Sequence, residues 1–343
     1  MNDGDESGLD DTMASGVRRR PDVVTERLQQ EAEGRYRGAG EGGSSVELGR
    51  GGLGRVLLVV DQHLGREVAL KELLPGLRER HGDGFAELEA RFVREAQVMA
   101  RLEHPGVVPV HELVRRADGS LFFTMKRVSG RTLAQALDAC ASLEERLTLL
   151  PHLRELVHTV AFAHSRGVVH RDLKPDNVMV GAFGETLVLD WGLARVQGQA
   201  DVRPLPQVGP MSVGLTTPGA AMGTPRYMSP EQAAGEVAHL DERSDVWSLG
   251  VMLFELLTGR APFEADSVAL LFDAVKNKPL PTVHELEPRA PASLAAVAAR
   301  ALQRAREARF KDAAEFAEAL DAALLAPLEG RRRRAPWSIA AAV

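Results

Sequence analysis

The spacing of apolar residues changes along the chain, and each change predicts a different kind of element. From about Tyr36 the apolar residues come in short runs, VLLVV at 56–60 and REVALKEL at 66–73, parted by the turn-rich DQHLG. Two such runs around a turn predict a β-hairpin. The period then lengthens: in GFAELEARFVREAQVMARL, Phe85, Leu88, Phe92, Ala96, Met99 and Leu102 recur at helical spacing until the breaker HPG at 104–106. That spacing predicts one amphipathic helix. Two further runs, VVPVHELV and SLFFTMKRV, complete a small antiparallel sheet. Beyond them the chain reads as mostly helical to about residue 325. Residues 147–165 form an apolar-rich helix that Pro151 can begin, and DVWSLGVMLFELLTG at 245–259 is apolar on most faces and therefore buried. The pattern predicts an α+β chain of two unequal lobes, a small sheet lobe with one helix over 36–128 and a larger, mostly helical lobe over 129–325.

The flanks lack this patterning. Residues 1–35 begin acidic, carry Arg18, Arg19 and Arg20, and offer few large apolar side chains to bury, which predicts a disordered arm with no apolar secretory run. Residues 326–343 run from a basic cluster, RRRR, into the short apolar end SIAAAV. That end falls short of the roughly 20 apolar residues a membrane helix needs. It reads either as a frayed basic tail or, if the native chain continues past Val343, as the start of a membrane helix with the arginines on the cytoplasmic side. The 343 residues are 44% hydrophobic and 26% charged with a net charge of −6, which gives no reason to expect nucleic acid as the main partner. Cys140 is the single cysteine, so no internal disulfide can form and a reducing, cytoplasmic compartment is expected.

Candidate chemistry centres on HRDLKPDN at 170–177. Asp172 can accept a proton from an attacking hydroxyl, Lys174 can neutralise charge on a transferred phosphoryl group, and Asn177 can hold a magnesium ion between phosphates. A shorter string of this kind would be an ordinary polar loop; the rest of the chain decides. LGRGGLGRV places Gly49, Gly51 and Gly54 in G-x-G-x-x-G spacing, where bare backbone can approach phosphate oxygens. A dinucleotide fold shares that spacing but opens a helix, whereas these glycines lead into a strand and suit a hairpin lid. Lys71 ends VALK, and Glu95 lies among apolar neighbours on the predicted helix; each is costly to bury alone, and together they can form an ion pair that aims the lysine at phosphates, the plainer reading being a surface lysine and a solvated helix residue. The hairpin NVMVGAFGETLVLD would return Asn177 and Asp190 to one edge, two oxygen ligands for a hard cation. The plainer reading of Asp190 is a strand-end residue capping a turn.

This ordered set resembles the eukaryotic-like, Hanks-type protein kinase family, and GTPRYMSPE at 223–231 and DVWSLG at 245–250 strengthen the resemblance, most of all to bacterial members. Lys174 looks like the serine/threonine class. The resemblance covers about residues 36–325 and implies ATP and Mg2+ as cofactors, proteins carrying Ser or Thr as substrates, and a bilobal kinase fold. It implies Asp172 as catalytic base, Lys174 as phosphate contact, Thr224 as the threonine joining them beside the substrate hydroxyl, and Asn177 and Asp190 as metal ligands. Around the nucleotide it implies Leu48, Gly49, Gly51, Gly54, Val56, Ala69, Lys71, Glu95, Met125 as gatekeeper, Val128 closing the hinge begun at Lys126, and Met179. Glu231 and Arg309 are the implied buried ion pair, Asp245 the brace of the catalytic loop, and Met99, Leu113, His170 and Trp191 a hydrophobic stack. Arg171 beside Asp172 implies activation by autophosphorylation in the segment between Leu193 and Tyr227, with Thr216 and Thr217 as the candidates ahead of Ser212.

The chain departs from the family pattern at Trp191 in place of Phe, at Ser229 in place of Ala, and at the hinge pair Lys126-Arg127. No departure removes a catalytic group. Two other readings compete. A pseudokinase scaffold would usually have lost a lysine, aspartate or asparagine that this chain keeps, and a small-molecule phosphotransferase would not be expected to carry the peptide-docking GTPRYMSPE.

Overall fold

The computed structural model describes residues 34–196, 225–236 and 239–326. Strands β1 (Tyr36–Gly38), β2 (Val46–Arg50), β3 (Gly54–Asp61), β4 (Arg66–Leu73), β5 (Val110–Arg115) and β6 (Leu121–Lys126) form one antiparallel sheet in the order β1-β3-β4-β6-β5, with β2 also paired to β3. Because side chains alternate across a strand, the sheet separates two tasks. Leu57, Val59, Val68, Leu70 and Phe122 form one cluster with Tyr36 and Val114 packed against it. The alternate positions Val56, Ala69 and Lys71 line a cleft on the other face. Val56 lies opposite Lys71, and Ala69 opposite Met125.

Helix α1 (Phe85–Arg101) packs on this second face and buries Phe92, Glu95, Ala96, Val98 and Met99. Phe85 and Leu88, which open its apolar stripe, remain half-buried. Arg35 differs from the expected arm: its guanidinium makes two bonds of 2.9 and 2.8 Å to Asp61, whose side chain is 1% exposed, so the chain is already tied to the sheet one residue before β1. This bond pulls the Asp61 carboxyl down to about 2.

The larger lobe follows through β7 (Gly130–Thr132), α2 (Leu150–Ser165), β8 (Val168–Val169), β9 (Val178–Gly181), β10 (Thr186–Val188), β11 (Arg195–Val196), α3 (Pro230–Ala233), α4 (Glu242–Thr258), α5 (Ala292–Ala301) and α6 (Ala313–Leu325). Pro151 sits in the first turn of α2, where its missing N–H costs nothing. Helix α4 is buried from Ser244 through Phe254 and forms the centre of the lobe. Gly250 makes its packing on α5 possible, since a Cβ there would lie 2.6 Å from the Ala301 methyl. One core runs through both lobes, joining Phe92, Met99 and Phe123 to Leu153, Leu173 and Trp247. The two-lobed α+β architecture expected from the pattern is the one observed. Residues 1–33, Ser212, Thr216, Thr217, Thr224 and the tail from 327 lie outside the described residues.

Candidate active site

A cleft of about 650 Å³ opens between the lobes, and among the described residues its lining holds all those expected to do catalysis, bind nucleotide or bind metal. Its roof is the β2–β3 hairpin. Gly49 lies in β2, Gly51 donates to the Gly54 carbonyl at 2.8 Å, and the Leu53 carbonyl accepts from the Leu74 N–H at 3.0 Å, which folds the hairpin tip back onto the end of β4. Gly54 is required sterically, because a Cβ there would stand 2.9 Å from the Glu72 carbonyl oxygen. Leu48, Val56, Ala69, Met125, Val128 and Met179 give the cleft an apolar end, joined by Val108 and Leu189, which the sequence reading did not nominate. Both follow unbroken apolar runs in which no single position stands out.

Lys71 bonds Glu95 at 2.5 Å, linking β4 to α1, and lies 3.9 Å from Asp190. Burial would lower the Lys71 ammonium, but the Glu95 and Asp190 carboxylates outweigh it and hold the lysine above its ordinary value. Burial pushes the Glu95 carboxyl up against the pull of Lys71. Asp190 projects into the cleft with its side chain 51% exposed. Burial of its surroundings would raise its carboxyl; Lys71, the Gly192 N–H, His170 and Lys174 together hold it below its ordinary value. Its Oδ1 accepts from the Gly192 N–H at 3.2 Å, so it caps the local turn as well as facing the cleft.

The loop over 170–177 folds around Asp172. Lys174 Nζ donates to Asp172 Oδ2 at 2.9 Å, and Asn177 Nδ2 donates to the Asp172 carbonyl at 2.9 Å. Spending the amide nitrogen on Asp172 leaves the Asn177 oxygen as the donor for a cation. The β9–β10 hairpin, with Val178 opposite Val188, brings Asn177 and Asp190 to the same cleft. Beneath the loop Asp245, fully buried, accepts from His170 N at 2.7 Å, Arg171 N at 2.8 Å and His164 Nε2 at 2.9 Å. Burial would raise its carboxyl, yet these bonds hold it below the ordinary value and therefore ionised.

His170 and Trp191 pack with ring centroids 4.7 Å apart, and Trp191 is 1% exposed, so the core accommodates the larger ring. Leu113 does not complete this stack. It is 37% exposed on the edge strand, whereas Val110, three residues earlier, packs against the main core with Met99. The other two departures also find local partners. Arg127 pairs with Glu67 of β4. Ser229, 0% exposed, accepts the Gln232 N–H in a capping box at the start of α3.

Residues 44–312, which carry this fold and this cleft, match the protein kinase domain family, to which the chain belongs. Among named proteins it is similar to the serine/threonine-protein kinase PknD of Chlamydia felis, at 39% identity over 230 residues, 63% of this chain and 24% of that protein. The PknD of Chlamydia trachomatis serovar D is 34% identical over 296 residues, 80% of this chain and 30% of that protein. The PknD of Protochlamydia amoebophila is 35% identical over 232 residues, 63% of this chain and 23% of that protein. The chain thus spans less than a third of the length of these curated relatives. Among the described residues, no helix is long and apolar enough to cross a membrane.

Proposed function

We propose that this chain transfers the γ-phosphoryl group of ATP to serine or threonine hydroxyls of proteins. The observation that carries this reading is the convergence of Lys71, Glu95, Asp172, Lys174, Asn177 and Asp190 on one cleft whose far end is apolar. The apolar end suits an adenine ring, the hinge from Lys126 to Val128 offers it backbone groups, and the bare hairpin above suits phosphates. Lys71, kept charged and aimed by Glu95, orients the α and β phosphates.

Asn177 and Asp190 fit a hard cation, since they present an amide oxygen and an ionised carboxylate to the same space. Two protein ligands leave such an ion to take its remaining oxygens from phosphates and water. Bound there, Mg2+ would offset negative charge on the phosphates. Asp172 orients the attacking hydroxyl and accepts its proton, and Lys174, at 2.9 Å from that carboxylate, reaches the transferred group. Positioning reactants in line is worth roughly 7 to 11 kcal/mol, against about 10² to 10⁴-fold for a general base, so placement dominates the rate.

We also infer activation by autophosphorylation. Arg171 precedes the catalytic aspartate, and Arg195 of β11, opposite Val169 of β8, adds a second cation near the start of the activation segment. The sequence reading missed Arg195 because its relation to the loop depends on a two-residue strand. A phosphate on Thr216, Thr217 or Ser212 would meet this charge, and Thr224 would contact Asp172 and Lys174. Incubation with Mg-ATP and a generic basic protein tests the whole reading. Phosphoserine or phosphothreonine on the substrate and phosphate within residues 205–224 of the chain are expected, both lost in Asp190→Ala. Substrate phosphorylation without phosphate in 205–224 would remove the autophosphorylation step alone.

A further inference from the structure

The peptide bond that enters Asp172 is held in a conformation its residue would not choose. Arg171 has φ +69, a left-handed value that a non-glycine residue keeps only where its surroundings impose it. The surroundings do so at each polar group. The Arg171 N–H is taken by Asp245 Oδ1 at 2.8 Å, and the Asp172 N–H donates to His170 Nδ1 at 3.3 Å. The Arg171 carbonyl is the remaining group of that peptide plane, and it accepts from Gln232 Nε2 at 2.6 Å, across 61 residues of sequence.

Gln232 is not free to turn its amide over. Its Oε1 accepts the Ser229 N–H at 3.0 Å and the Ser229 hydroxyl at 3.2 Å, and the Ser229 oxygen in turn accepts the Gln232 N–H at 3.4 Å. Two donors fix the oxygen on the Ser229 side, so the NH2 must face Arg171. Ser229 stands where the family usually carries alanine, and its hydroxyl is the second of those donors. Helix α3, which follows the peptide-docking segment, is thereby bonded directly to the backbone of the catalytic loop.

We propose that Gln232 is a positioning residue for phosphoryl transfer: its amide fixes the Arg171–Asp172 peptide plane and through it the aim of the Asp172 carboxylate. This rests on the kinase reading above. Gln232 does not line the cleft, and it couples the docking platform to the catalytic base. Its effect falls on the chemical step and not on ATP binding, because Lys71, Asp190 and the cleft walls stay in place.

The test uses Gln232→Glu, which keeps the acceptor for the Ser229 N–H and so preserves the cap, but sets an oxygen against the Arg171 carbonyl. Loss of one aiming contact should lower kcat about tenfold or more while KM for ATP stays within about twofold. Hydrogen exchange gives a second readout that does not depend on catalysis: deuterium uptake should rise over 168–173 and stay unchanged over 245–257. Gln232→Leu, which loses both bonds, repeats both measurements should the glutamate variant fail to fold. A folded variant with kcat within about twofold of the parent, or with unchanged exchange over 168–173, overturns the proposal. If the parent itself transfers no phosphate, the kinase reading fails and the exchange over 168–173 decides the clamp by itself.

Discussion

Lys71–Glu95 and Arg309–Glu231 are both buried ion pairs, yet one leaves its cation with donors to spare and the other leaves none. Lys71 makes a single bond to Glu95 and is 19% exposed, and its ammonium borders the cleft with donors left over. Arg309 is 0% exposed and spends every N–H: two on Glu231 at 2.9 and 3.0 Å, and three on the carbonyls of Gln303, Arg243 and Arg304. Glu231 takes a further bond from Ser244 Oγ at 2.9 Å, and the guanidinium lies 5.0 Å from the Trp247 ring centroid. A saturated pair can only hold elements together. An unsaturated one at a cleft can hold a ligand, and the contrast separates stability from activity in this molecule.

Breaking the saturated pair should have the largest effect. Arg309→Met leaves Glu231 buried with half its partners gone, and should cost about 3–5 kcal/mol, lowering Tm by roughly 10 °C in a calorimetric melt. Lys71→Met should fall mainly on activity, lowering phosphoryl transfer by about 10²-fold or more with a smaller loss of Tm than Arg309→Met, because Glu95, whose carboxyl burial already pushes up, can take a proton. If both variants lost stability alike, the distinction between the pairs would be wrong.

Acid should act mainly on the saturated side. Burial would raise the Glu231 carboxyl, but the Arg309 bonds hold it below its ordinary value, and Asp245 is held down likewise. Groups depressed in the folded state add stability that is full above their unfolded values, about 3.9 to 4.3, and is lost as pH falls through the lower folded values. Tm should therefore drop steeply below about pH 4, and Glu231→Gln should start from a lower Tm and show a shallower drop. The smallest effect is expected at the lid. Gly54→Ala forces its methyl against the Glu72 carbonyl and should raise KM for ATP by a few-fold with little change in Tm.

Much of this was legible along the chain because it is periodic or contiguous. The alternation in VLLVV and VALK puts Val56, Ala69 and Lys71 on one face, and the helical stripe around Phe92 and Met99 turns Glu95 toward that face. HRDLKPDN carries its own geometry within eight residues. What the sequence did not show depends on contacts between distant segments. Nothing local announces that Gln232 reaches Arg171, or that Arg35 anchors on Asp61. Leu113 was misplaced for another reason: it came from the resemblance alone, and which apolar residue of the edge strand β5 packs inward depends on the register shift between Val110 and Glu112.

The central claim, that this cleft transfers phosphate to serine or threonine with Asp172 at its centre, is tested most directly by phosphoamino-acid analysis of a protein substrate incubated with Mg-ATP and either the parent chain or Asp172→Asn. The parent should yield phosphoserine or phosphothreonine, and the folded variant should yield at most about a hundredth as much. Equal yields from both chains, or phosphotyrosine as the sole product, would contradict it.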